Sequence, residues 1–199
     1  MVNYILELLS PDVTVEDALE HLHVHETLGG KNNKIIIAGK ICKSCQIKII
    51  FTGSNSTLYL GEECNYRGSI RIDTNGNIKI GKDFRGTNNV SLLCRPNKSI
   101  IIGDHCLFAS SIVVRTSDEH SIYSLDTGEL INPNRDVYIG DSVWVCDNVT
   151  ILKGSFVGRE SVIGAGSVVS GKIPKNVVVA GNPTKILKTN IVWSHEKPL

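Results

Sequence analysis

An aliphatic residue returns at every sixth position from Ile139 onward: Ile139, Val145, Ile151, Val157, Ile163 and Val169. Four residues after each stands a small or β-branched partner, namely Val143, Val149, Ser155, Ser161, Ser167 and Ile173. A period of six matches neither the turn of a helix nor the alternation of a long strand. It matches a short strand, a bend and another short strand, three of which close one triangular turn. The aliphatic points inward. Gly140, Gly158 and Gly164 directly follow theirs and let the chain bend where a Cβ would clash. A β-sandwich rich in Val and Ile would not hold this phase from repeat to repeat.

Upstream the same signature is looser. Leu60-Gly61, Ile80-Gly81, Ile102-Gly103 and Ile139-Gly140 stand 20, 22 and 37 residues apart. The first two intervals are one turn plus a bulge, and the third is one turn plus a long excursion, residues 115–136. Strand-like patches (Ile35-Ile36-Ile37, Ile47-Lys48-Ile49, Ile70-Arg71-Ile72) alternate with clusters such as Gly53-Ser54-Asn55 and Thr87-Asn88-Asn89. Those cluster residues tolerate left-handed corners. The pattern predicts an all-β chain, with a parallel β-helix of about seven turns at ~4.8 Å spacing. The helix would span residues 31–187, between an N-terminal cap at 1–30 and a tail at 188–199.

In the cap, Ser10-Pro11-Asp12 and Thr14-x-x-Asp17 read as a helix start, with Asp in the place of the usual Glu or Gln of a capping box. The helix is expected over roughly residues 14–25, ending near Gly29-Gly30 and covering the sheet edge of the first turn. His21 and His25 would then share one face and His23 would turn away, a polar surface rather than a metal site.

Lys and Arg number 21 against 20 Asp and Glu, which excludes bulk attraction to nucleic acid or to an anionic membrane surface. No apolar run approaches the ~18–20 residues of a membrane span. The N-terminus lacks the basic start and small-residue cleavage site of a signal peptide, so a cytoplasmic location is expected. There the six cysteines are expected to be inert thiols. Cys42-x-x-Cys45 lacks a second ligand pair, and no metal is expected.

A prism of this kind fills its own interior, so chemistry must come from outer faces, loops or a neighbouring chain. The excursion is the one long break in the repeat, and long loops of this kind are usually functional. It carries His120, whose imidazole can accept a proton near neutral pH. Trp144 falls at an outward position, where a large aromatic calls for something to cover it.

These residues carry a family resemblance. The six-residue repeat, the loop Asp118-Glu119-His120-Ser121-Ile122, the run Val143-Trp144-Val145 and the ending Ala180-Gly181-Asn182-Pro183-Thr184-Lys185 are similar to hexapeptide-repeat O-acetyltransferases. The likeness is greatest to bacterial enzymes that acetylate capsular or other surface polysaccharides, sialic-acid polymers included, and it covers about residues 35–193. It implies a left-handed coil, which the repeat alone cannot supply because parallel crossovers otherwise favour the right hand. It also implies a homotrimer with active sites between adjacent subunits, acetyl-coenzyme A as co-substrate, and a sugar or polysaccharide hydroxyl as acceptor.

An alcohol is a poor nucleophile at pH 7, and His120 is the base that the resemblance implies. Asp118 or a backbone carbonyl would hold its second ring nitrogen. Trp144 would wall the acetyl group and carbohydrate, donate its indole N–H near the reacting oxygen, or make a trimer contact. The pantetheine arm would lie beside Gly164-Ala165-Gly166. Lys172, Lys175, Lys185 and Lys188 follow the regular turns and are available to the phosphates, Lys185 foremost. Two departures stand out. Cys146 replaces the Ile-Gly continuation after Val-Trp, and Ser170-Gly171-Lys172-Ile173-Pro174 shifts the family's Thr-Lys-Asp-Val-Pro. The sequence leaves open N-acyl transfer to an amino-sugar nucleotide, and a non-catalytic structural solenoid. A zinc hydratase needs three histidines from adjacent turns, and the repeat region has only His105 and His120.

Overall fold

The structure, a computed structural model, describes residues 4–26 and 30–196. The first turn comprises β1 (Tyr4–Leu8), α1 (Val15–His21) and β2 (Leu22–Glu26). Long strands follow: β3 (Asn33–Ile37), β4 (Gln46–Phe51), β5 (Thr57–Leu60), β6 (Asn65–Ile72), β7 (Asn77–Ile80), β8 (Arg85–Cys94), β9 (Ser99–Ile102) and β10 (Leu107–Arg115). Past the excursion the repeat tightens into β11 (Val137–Ile139), β12 (Trp144–Val145), β13 (Thr150–Ile151), β14 (Phe156–Val157), β15 (Val162–Ile163), β16 (Val168–Val169) and β17 (Lys172–Ile173). The chain closes with β18 (Val177–Ala180) and β19 (Lys185–Thr189).

One face of the prism is a parallel sheet in the order β1-β3-β5-β7-β9-β11-β14-β17. β8 and β10 bend at Asn89 and Ser111, both at positive φ, so each lines two faces. Their first residues lie on the second face, which β12, β15 and β18 continue. Their last residues lie on the third face, which β13 and β16 continue. The result is about seven turns of left-handed parallel β-helix, the architecture expected from the repeat and the resemblance together.

The interior is the hexapeptide pattern made solid. Val145, Ile151, Val157, Ile163 and Val169 are fully buried and Ile139 nearly so. Each such side chain stabilises the fold by about 1.5–3 kcal/mol. Serines at the partner positions are also buried, because their hydroxyls find carbonyls within the coil. Ser161 Oγ donates to the Pro174 carbonyl at 2.8 Å and Ser167 Oγ to the Gly164 carbonyl at 2.6 Å. Asparagines turn the corner between the third and first faces in left-handed conformation. Their side-chain amides also chain along it: Asn32 Nδ2 donates to Asn55 Oδ1 at 3.2 Å and Asn75 Nδ2 to Asn97 Oδ1 at 2.9 Å. The glycine that follows each aliphatic is needed for close approach. A Cβ on Gly61 would lie 2.4 Å from the Gly81 carbonyl carbon, and one on Gly81 2.5 Å from that of Gly103.

The N-terminal region departs from the sequence expectation. Thr14 does cap α1, and Asp17 completes the capping box, but the helix stops at His21. Leu22 is already extended, and Leu22–Glu26 pairs in parallel with β4. Leu22-His23-Val24-His25 alternates apolar and polar, and tertiary pairing with Ile47 and Ile49 draws it into the sheet. His23 and His25 therefore share the exposed face of a strand, rather than lying apart on a helix. β1 likewise joins the first face beside β3. Residues 4–26 thus form a turn of the prism, with α1 in the place of a second-face strand and Ala18 buried in the core. Of the expected helix end, Gly29 lies outside the described residues.

Candidate active site

The excursion leaves the prism at the corner between the third and first faces, after Arg115, and returns at Val137. Its root is buried: Thr116 donates its amide to the Leu93 carbonyl at 3.1 Å and accepts the Arg95 amide on Oγ1 at 2.8 Å. Arg95 then bridges Asp73, at 2.7 Å, and Glu119, which stands at φ +72°. Arg71, Arg95, Arg115 and Glu119 line a small cleft of about 130 Å³ at this root.

Asn132 is the hub of the loop. Its Nδ2 donates to the His120 carbonyl at 2.8 Å and to Asp118 Oδ2 at 3.0 Å, and its Oδ1 accepts the Ile122 amide at 2.6 Å. From the same corner on the next turn, Lys153 Nζ reaches Asp118 at 2.5 Å and the Asn132 carbonyl at 2.6 Å. The Lys153 ammonium, with Asn132 after it, holds the Asp118 carboxyl below its ordinary value. The backbone of His120 is thereby pinned while its side chain stays exposed. Among the described residues no hydrogen bond joins Asp118 to the His120 ring. Asp118 is an anchor of the loop. Asn132 and Lys153 went unnoticed in the sequence, because their partners are 10 or more residues away and no spacing rule links them.

Trp144 lies elsewhere. On β12 it faces outward from the second face, half-buried, between Leu107 and Val162. In a triangular prism the second face lies opposite the corner that carries the loop. His120 and Trp144 of one chain are therefore on opposite sides of the coil. What covers Trp144 is the chain's own tail: the Trp193 ring centroid is 5.8 Å away.

The expected co-substrate residues divide similarly. Gly164 and Ala165 turn the corner between the second and third faces, next to Gly166 at φ +69°, whose added Cβ would meet nothing within 4 Å. Lys185 pairs with Ala180 just above them, and is exposed. Ser170 lies at the corner between the third and first faces, and Lys172 on the first face over the Phe156 ring at 5.7 Å. Lys172 and Lys185 therefore do not share an edge within one chain.

A cleft of about 890 Å³ lies between α1 and the second face and is lined by Asp17, His21, Cys42, Asn65 and Arg85 among others. It holds none of the candidate catalytic or co-substrate residues. Burial pushes the Cys45 thiol up to about 11 and those of Cys94 and Cys106 to about 12, where a thiolate is scarce at neutral pH.

A polysialic acid O-acetyltransferase of Neisseria meningitidis is 38% identical over 174 residues, spanning 85% of this chain and 79% of that protein. The chain belongs to the hexapeptide-repeat O-acetyltransferases. Two crystal structures of such enzymes superpose over nearly its whole length. The polysialic acid O-acetyltransferase OatWY gives a TM-score of 0.79 at 28% identity, covering 98% of this chain and 92% of that one. The polySia-specific acetyltransferase NeuO gives 0.77 at 26%, covering 99% and 87%. No family model matches the chain. For a hexapeptide-repeat O-acetyltransferase, the described residues contain no helix long and apolar enough to span a membrane and no cluster of metal-ligating side chains.

Proposed function

We propose that the protein transfers the acetyl group of acetyl-coenzyme A to a hydroxyl of an acidic surface polysaccharide, at sites shared between copies of the chain in a homotrimer. The observation that carries this reading is the placement of His120 and Trp144 on opposite sides of one prism. They can act together only when the loop of one copy reaches the second face of another. The loop is suited to such a contact: Ile122 and Tyr123 are more than half exposed, as is Ile131, and Leu125 is fully so. An apolar cluster of this kind marks a surface that a partner covers.

His120 takes the proton from the acceptor hydroxyl as its oxygen attacks the thioester carbonyl, and returns it to the departing sulfur. Trp144 of the neighbouring copy walls the site. Gly164 to Gly166 offer open backbone for the pantetheine arm, and Lys185 lies above it for phosphate. The acidic acceptor is supported by the substrates named for the relatives and by the cleft at the loop root. There three arginines face Asp73 and Glu119, leaving one positive charge over. Six free thiols are consistent with reaction in the reducing cytoplasm.

The test is acetyl transfer, corrected for hydrolysis, to oligosialic acid, neutral oligosaccharides and an amino-sugar nucleotide. Oligosialic acid should be acetylated, and His120→Ala should lower kcat by about 10²–10⁴-fold without loss of fold. Coenzyme A release with the nucleotide alone would overturn the acceptor class, and full activity in His120→Ala would overturn the base.

A further inference from the structure

Trp144 stands in an outward column of the second face, between Leu107 on the turn below and Val162 on the turn above. Outward residues of such a column ordinarily meet water, yet Val162 is only 8% exposed and Trp144 is half-buried. For Trp144 the tail supplies cover. Beyond β19 the Ile191 amide donates to the Asn176 carbonyl at 3.1 Å, and Asn176 Nδ2 donates to the Ile191 carbonyl at the same distance. Two turns further down the same corner, Trp193 Nε1 donates to the Ser142 carbonyl at 2.6 Å. The rings of Trp193 and Trp144 are inclined at 40°, and His195 lies 4.7 Å from Trp193. Leu107, Val162 and Trp193 together restrict the plane that the Trp144 indole can take.

We infer that Trp193 is a positioning residue of the acetyl-transfer site, holding the Trp144 indole in the plane it presents to the reacting groups. The inference rests on the reading that Trp144 belongs to that site. A misplacement of about 1 Å in such a wall can cost on the order of 10²-fold in rate. The tail thus acts through Trp144, with no contact of its own to the substrates required.

The chain has just two tryptophans, and they are this pair. Coupling between their indoles gives a far-ultraviolet circular dichroism couplet that reports the contact alone. Trp193→Leu keeps an apolar cover but loses the ring and its N–H, whereas Trp193→Phe keeps a ring. Both should lose the couplet. With oligosialic acid as acceptor, Trp193→Leu should lower kcat by about 10- to 100-fold with little change in KM for acetyl-coenzyme A, and Trp193→Phe should recover most of the loss. Wild-type or raised kcat in folded Trp193→Leu overturns the inference. In the unaltered protein saturating coenzyme A should change the couplet, and an unchanged couplet overturns the inference even if Trp193→Leu does not fold. Trp144→Leu separates the two readings. Wild-type kcat there removes Trp144 from the site altogether, whereas loss there with wild-type kcat in Trp193→Leu sinks only the positioning role.

Discussion

Glycine and asparagine divide the conformational work of this coil between them. Asn55, Asn75 and Asn97 take left-handed corners, each at φ between 55° and 60°, and their side chains bond to one another up the prism. Gly61, Gly81 and Gly103 have no such φ and are required by contact between successive turns. Gly81→Ala would drive a Cβ to 2.5 Å from the next carbonyl carbon. Such overpacking costs about 1–3 kcal/mol, so the variant should melt several degrees lower. Asn97→Gly, which adds no Cβ and keeps the left-handed corner while losing only the Asn75 side-chain bond, is the milder comparison. An unchanged midpoint in Gly81→Ala would show that adjacent turns can separate without loss.

Among the elements the excursion is the least regular, yet it is tied down by the Asp118–Lys153–Asn132 cluster. A carboxylate held below its ordinary value of 3.8 stabilises the anchored loop above that value. The contribution is lost as pH falls through the depressed value. The anchor is therefore intact at neutral pH and fails only in acid. Lys153→Met should loosen residues 117–132 at pH 7, seen as faster amide exchange there and unchanged exchange in the strands. The wild-type loop should match that rate only after acidification below the usual carboxylate range. Equal exchange in both proteins at pH 7 would mean that Asn132 alone suffices. The sequence singled out this loop and His120 in it, and offered Asp118 or a backbone carbonyl as partner of the imidazole. Lys153 competes for the carboxylate from a different turn, and a partner 35 residues away leaves no local signature.

At the scale of the molecule, the opposition of loop and second face makes a mixing experiment decisive. In the proposed homotrimer, His120→Ala and Trp144→Ala should each spoil every site when assembled with their own kind. Co-refolded in equal amounts, they should restore about one quarter of the sites, wherever an intact His120 meets an intact Trp144 across an interface. If both residues served one site within a chain, the mixture would stay inactive. The same opposition could not be read from the sequence, where His120 and Trp144 are only 24 positions apart. Proximity along a solenoid reports the turn a residue belongs to and is silent about the side of the prism it faces.

The hexapeptide period by itself determined the all-β prism, its buried column and the place of the interruption, because a repeat of identical units specifies its own neighbours. The resemblance added handedness, which no steric pattern in the repeat encodes. Tertiary structure alone decided that residues 22–26 join the sheet, that Asp118 anchors the loop, and that the tail folds back onto Trp144. In each case the deciding partner comes from another turn of the coil. Contacts along the prism axis are set by stacking, and stacking is visible only once the chain has closed on itself.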